Sequence, residues 1–169
     1  MKKQETKQNN KKPMLTIVFI VFVMFLMNAA TLYTLRDVVY DRNKIIDSHY
    51  EDKAIENMEQ NITKTVGDYC LLFEDNMTRV KCARSFVINS KKFNYTITDK
   101  IILSDELIEN GGDCKSWTTF YKGLFNYMNI KSNLIHTDGH VYLNAFDDTF
   151  YCNVDQQSID CHKLGGETE

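Results

Sequence analysis

Residues 110–121 read Asn110-Gly-Gly-Asp-Cys-Lys-Ser-Trp-Thr-Thr-Phe-Tyr, and the fold is decided there. Two glycines free the backbone for a tight turn, and Asp113 is a good helix N-cap. Cys114 therefore opens a helix expected to run to about Met128. Trp117, Tyr121, Leu124 and Met128 follow Cys114 at steps of three or four, which makes a buried stripe with the thiol at its leading end. Asn129 can end the helix in the left-handed conformation. A thiol at a helix N-terminus sits at the positive end of the dipole, where the nucleophilic thiolate is favoured. Free first-turn N–H groups there can also hold an oxyanion.

Downstream, Lys131–His136 reads as a strand and Asp138-Gly139 as a turn. Residues 140–146 (HVYLNAF) and 149–155 (TFYCNVD) then form a hairpin about Asp147-Asp148. Val141, Leu143 and Ala145 alternate in the first strand, and Phe150, Cys152 and Val154 in the second. With a two-residue loop, paired residue numbers sum to 295, which sets His140 beside Asp155 and Phe146 beside Thr149. A carboxylate opposite a histidine can fix its tautomer and support the imidazolium, the orienting role in a nucleophilic triad. The apolar face of this hairpin is the one opposite His140. Tyr142, Phe146 and Tyr151 make the other face buriable, so a sheet covered on both sides would bring Cys114 and His140 together.

Gly-Gly-Asp-Cys opening a helix, Gly-His starting one strand and Val-Asp ending the next resemble the transglutaminase-like superfamily. Phe86-Val-Ile-Asn through Phe93-Asn-Tyr95 is similar to the helix and strand that precede the catalytic turn in many members. The likeness covers about residues 80–157. It implies an α+β, papain-like core in which a catalytic helix packs on an antiparallel sheet. It also implies Cys114 as nucleophile, His140 as base and Asp155 as orienting acid, with no cofactor. Where the family often shows His-Ala-Trp and Asp-Pro, this chain has His140-Val-Tyr142 and Asp155-Gln. Asn110 is the one side-chain candidate for an oxyanion donor, and a turn-forming role suits it better.

Upstream, Met14–Ala30 is MLTIVFIVFVMFLMNAA, and no charge follows until Arg36. That uncharged stretch is apolar all round and reaches the length, about 20 residues, that a bilayer core requires. Five lysines precede it, so the positive-inside rule puts the N-terminus in the cytoplasm and the rest outside. A cleaved signal has the same basic start, but its apolar core is about 7–15 residues long. Asn28-Ala29-Ala30-Thr31 is also a poor cleavage site, so an uncleaved anchor is the reading adopted. The expected organisation is a basic tail (1–13), an anchor (14–35), a helical stalk (36–65) and the transglutaminase-like domain (66–169). Ile55, Met58, Ile62 and Val66 give the stalk its helical spacing.

Five cysteines in an exported chain allow two disulfides and one free thiol. Local pairs, Cys70 with Cys82 and Cys152 with Cys161, are the simplest arrangement, although other pairings remain open. One helix over 70–82 would hold its ends about 18 Å apart, so the first pair requires a turn at Glu74-Asp75-Asn76.

Net charge is −3, but the basic tail carries +4 and the remainder, with 15 basic and 22 acidic side chains, −7. A body that acidic lacks the clustered cations that nucleic-acid backbones require. His136-x-x-x-His140 has metal-like spacing, but Gly139 and the strand pattern argue against a helical pair, and no carboxylate completes a known set. Two function classes remain. One is a membrane-anchored extracytoplasmic cysteine enzyme acting on protein or peptide amides, as a protease, an amidase or an acyl transferase. The other is a non-catalytic domain of the same fold that binds peptide or cell-envelope polymer.

Overall fold

The computed structural model describes residues 11–89, 94–156 and 158–165, which include five helices and a four-stranded antiparallel sheet. The chain divides into two compact units, Met1–Ile45 and Ile46–Glu169. The first is helical from Lys11, the start of α1 (Lys11–Met58). Within α1, Phe19–Met58 contains the one stretch among the described residues that is long and apolar enough to cross a membrane; none of that stretch is buried.

The second unit begins at Ile46, well before residue 66, where the sequence pattern set the domain boundary. The end of α1 is therefore part of it. Tyr50, Ala54 and Asn57 are buried while Ile55 is exposed, so the packed stripe is rotated from the one formed by Ile55 and Met58. Gly123 makes this packing possible. A Cβ there would lie 2.7 Å from both the Ala54 carbonyl oxygen and Asn57 Cβ. The chain turns after Met58 and resumes as α2 (Asn61–Cys70), whose first N–H groups, of Asn61 and Ile62, donate to the Asp105 carboxylate. Helix α3 (Asn76–Asn89) follows a turn capped by Asp75, which accepts from Thr78 N–H at 2.8 Å. Helix α4 (Ser104–Asn110) leads into the glycine turn.

Helix α5 (Cys114–Tyr127) starts and ends as its sequence implies. Asp113 accepts from Ser116 N–H at 3.2 Å, and Asn129 has φ 57°. Trp117, Phe120, Tyr121, Leu124 and Phe125 are each at most 1% exposed, so α5 is buried on nearly every side rather than on one stripe. It lies between the sheet and helices α2 and α4.

The sheet runs β1 (Ser132–Thr137), β2 (His140–Phe146), β3 (Phe150–Val154) and β4 (Ile159–Lys163) in simple meander order. The last strand was not expected. Its polar residues Asp160, His162 and Lys163 hide a pairing that the Cys152–Cys161 disulfide fastens directly across the β3–β4 ladder. The hairpin register also differs from the expected one. Paired numbers of β2 and β3 sum to 297, as in Phe146 with Tyr151, not 295. Asp147 explains the difference. Its carboxylate accepts from both the N–H and the hydroxyl of Thr149, and its N–H donates to the Phe150 carbonyl. Asp147 thus closes the strand, and the loop becomes Asp148-Thr149. His140 and Asp155 are no longer directly opposed, but an even change in the sum leaves both on the same face.

Cys70 is disulfide-bonded to Cys82 across the α2–α3 turn, and Cys114 is free. Replacing Cys70 and Cys82 together by Ser should lower unfolding free energy by about 3 kcal/mol, the chain-entropy value for a short loop. The check is urea unfolding followed through Trp117, the single tryptophan. The midpoint should fall.

Candidate active site

Backbone geometry comes first. Gly111 has φ 78° and ψ 178°, a region essentially reserved for glycine. This kink brings the turn against residues 94–96. Gly112 N–H donates to the Asn94 carbonyl, and Thr96 N–H to the Gly112 carbonyl, both at 3.1 Å. Tyr95 and Gly112 thereby form an isolated parallel bridge. Trp117 Nε1 donates back to the same Gly112 carbonyl at 3.1 Å, locking the turn to the core. Phe93, the start of the expected strand, lies outside the described residues.

Cys114 emerges from this clamp at the first position of α5, 8% exposed and packed with Tyr50 and Val141. It lines a cavity of about 460 Å³ together with Ile46, Tyr50, Tyr95, His136, His140 and Val141, among others. His140 Nε2 lies 2.9 Å from Asp155 Oδ2, and each side chain is 31% exposed. The shifted register makes this a diagonal contact, within reach of long side chains. Asp155 is held in turn by the N–H of Gln156 on its other oxygen. An ionised carboxylate can only accept, so the ring nitrogen that faces it, Nε2, is the donor.

The structure thus brings all three expected residues to one locality, Cys114 and His140 on one cavity and Asp155 on His140. No hydrogen bond joins Cys114 to His140 among the described residues. Unliganded sites often leave that link open until substrate binds. The two meet over the end of β2, where Gly139, His140 and Val141 border the cavity, not through a sheet covered on both sides. Tyr142, Phe146 and Tyr151 on the second face are only half-buried. Asn110 is exposed at the end of α4 and is not on the cavity. His136 and His140 do not share a partner, since His136 Nε2 bonds Asp47 at 2.8 Å.

Several site residues escaped the sequence reading. Ile46, Asp47 and Tyr50 come from the segment read as a stalk, and their signal is the helical spacing of Ile46, Tyr50, Ala54 and Asn57. The Tyr50 ring meets His136 edge-on at 5.4 Å. Burial, followed by the negative charge of Cys114, Asp113 and Asp47, pushes its hydroxyl up to about 12, so it stays a neutral donor. Tyr95 is the other. It lines the same cavity as Cys114, and desolvation, then the charge of Cys114 and Asp113, holds its hydroxyl above the ordinary phenol value.

A larger groove of about 730 Å³ lies between α2 and α3, lined by Tyr69, Phe73, Lys81 and Phe86. Its one sulfur, Cys82, is tied up in a disulfide, and it holds no histidine or carboxylate. The candidate site is therefore the smaller cavity, which Cys114 and His140 line. No family model, curated protein or solved structure matches this chain.

The clamp has a measurable cost. Gly111 and Gly139 share positive φ, 78° and 77°, but a Cβ on Gly111 would lie 2.5 Å from the Asn94 carbonyl oxygen, whereas Gly139 faces open space. Gly111→Ala should destabilise more than Gly139→Ala, whose cost is the conformational one alone, about 1–3 kcal/mol. Urea midpoints of the two variants measure the difference.

Proposed function

We propose that this protein is a membrane-anchored cysteine enzyme of the transglutaminase-like kind, with a papain-like core, acting outside the cytoplasm on amide bonds of proteins or peptides. The observation that carries the reading is the pairing of a free thiol at the head of α5 with a carboxylate-oriented histidine on the same cavity. The five lysines before a membrane-length apolar stretch support a single-pass anchor with an outside domain. Two disulfides in the second unit suit an oxidising compartment.

In the proposed reaction, His140 Nδ1 accepts the Cys114 proton as sulfur attacks the substrate carbonyl carbon. The carbonyl oxygen becomes an oxyanion facing the N–H of Cys114, which no helical carbonyl can satisfy. The intermediate collapses by breaking the carbon–nitrogen bond, and His140 returns its proton to the leaving amine. A thioester remains on Cys114. Water or a second amine then attacks it, with His140 again taking and returning the proton, and the thiol is regenerated. The acceptor decides between hydrolysis and acyl transfer, so both belong to one class here. Asp155 keeps the His140 ring in the tautomer that has Nδ1 free.

Turnover of peptide amides by the purified full chain, with and without added amines, tests this reading. Cys114→Ala and His140→Ala should each remove nearly all turnover, and the double variant little more, since members of one relay are not additive. Asp155→Ala should leave measurable activity, because orientation is lost while the attacking pair remains. Intact turnover in Cys114→Ala would overturn the proposal.

A further inference from the structure

Attack by a thiolate on a carbonyl needs donors aimed at the oxygen, and a single backbone N–H is a sparse oxyanion site. The first-turn N–H of Cys114 is one such donor, and Asn110 is not on the cavity to supply another. We propose that Tyr95 is that second donor, its hydroxyl binding the oxyanion beside the N–H of Cys114. The inference deepens the cysteine-nucleophile reading and rests on it.

Three observations converge on Tyr95. Its backbone is fixed relative to the nucleophile, because the bridge to Gly112 and its two 3.1 Å hydrogen bonds hold residues 94–96 against the turn that launches α5. Gly111 makes that approach possible by lacking a Cβ where the Asn94 carbonyl sits. Tyr95 also lines the cavity that Cys114 borders, the space that a bound carbonyl must itself enter. A carbonyl oxygen seated over Cys114 would therefore share that cavity with the phenol. The ring is 44% exposed on the cavity wall, so it can yield to an incoming carbonyl without unpacking the core. When sulfur adds to the carbonyl carbon, the π pair moves onto oxygen, and Tyr95 O–H donates to it without transferring its proton.

Tyr50, the other tyrosine at the thiol, is 7% exposed and packed against Cys114 and Val141. Its ring also meets His136 edge-on at 5.4 Å, whereas Tyr95 is the tyrosine exposed on the cavity.

The test compares two reactions of Cys114 in the full chain. Acylation by p-nitrophenyl acetate forms a tetrahedral oxyanion. Alkylation by iodoacetamide displaces iodide and forms none. In Tyr95→Phe, acylation, followed as the first-turnover burst of p-nitrophenolate, should slow by about 10²-fold, the usual effect of deleting one such donor. Alkylation should stay within about twofold, which also reports an intact, accessible thiol. Unchanged acylation would overturn the assignment, as would faster acylation, which would make the hydroxyl a block. Equal slowing of both reactions would overturn it too, since Tyr95 would then act on the thiol and not on the oxyanion. Failure of the underlying reading looks different: the p-nitrophenolate burst would persist in Cys114→Ala.

Discussion

The near-complete burial of helix α5 is the constraint on which the rest of the structure depends. A helix with Trp117, Phe120, Tyr121, Leu124 and Phe125 all excluded from water cannot sit at a surface. It needs the sheet on one side and helices on the other. The end of α1 reaches it only because Gly123 has no side chain. Burial also forces its N-terminal donors to find partners: Asp113 accepts from both the N–H and the hydroxyl of Ser116, whose oxygen accepts in turn from Ile102 N–H. At that end Cys114 borders the cavity while packing with Tyr50 and Val141.

Three further elements complete the cavity around this fixed point. The segment from Asn94 to Thr96 is tied to the glycine turn by backbone bonds, which fixes it relative to the start of α5. The tight turn at Gly139 ends β1 and starts β2 with His140 at the rim. The end of α1 contributes Ile46 and Tyr50, an apolar wall beside the thiol. Asp47 and Asp155 each hold one histidine ring, so the two imidazoles near the thiol have separate anchors.

Much of this was legible in the chain before any coordinates. Strong local signals located α5, β2 and the turn at Gly139, because capping residues, glycines and strict alternation act over a few residues. The two disulfides followed from proximity in sequence, and Cys114 was left over. Longer-range facts were not legible. The stripe Ile46, Tyr50, Ala54 and Asn57 competes with the more apolar Ile55, Met58, Ile62 and Val66, and only packing against α5 decides between them. Strand β4 carries too few apolar residues to announce itself, and pairing with β3 alone makes it a strand. The register slipped because an aspartate at the hairpin end can serve as loop or as strand closure, and Thr149 supplies the bonds that choose closure. The contact of His140 with Asp155 survived the slip because an even change of register preserves the face.

The central claim is that Cys114 and His140 act as one unit. The most direct measurement is the rate of iodoacetamide labelling of Cys114 at neutral pH in the full chain and in its His140→Ala variant, with the labelled residue identified by mass mapping. If the imidazole takes the thiol proton, the native chain should label at least tenfold faster than the variant. Equal rates would mean that His140 does not act on the thiol, and the proposed relay would be contradicted.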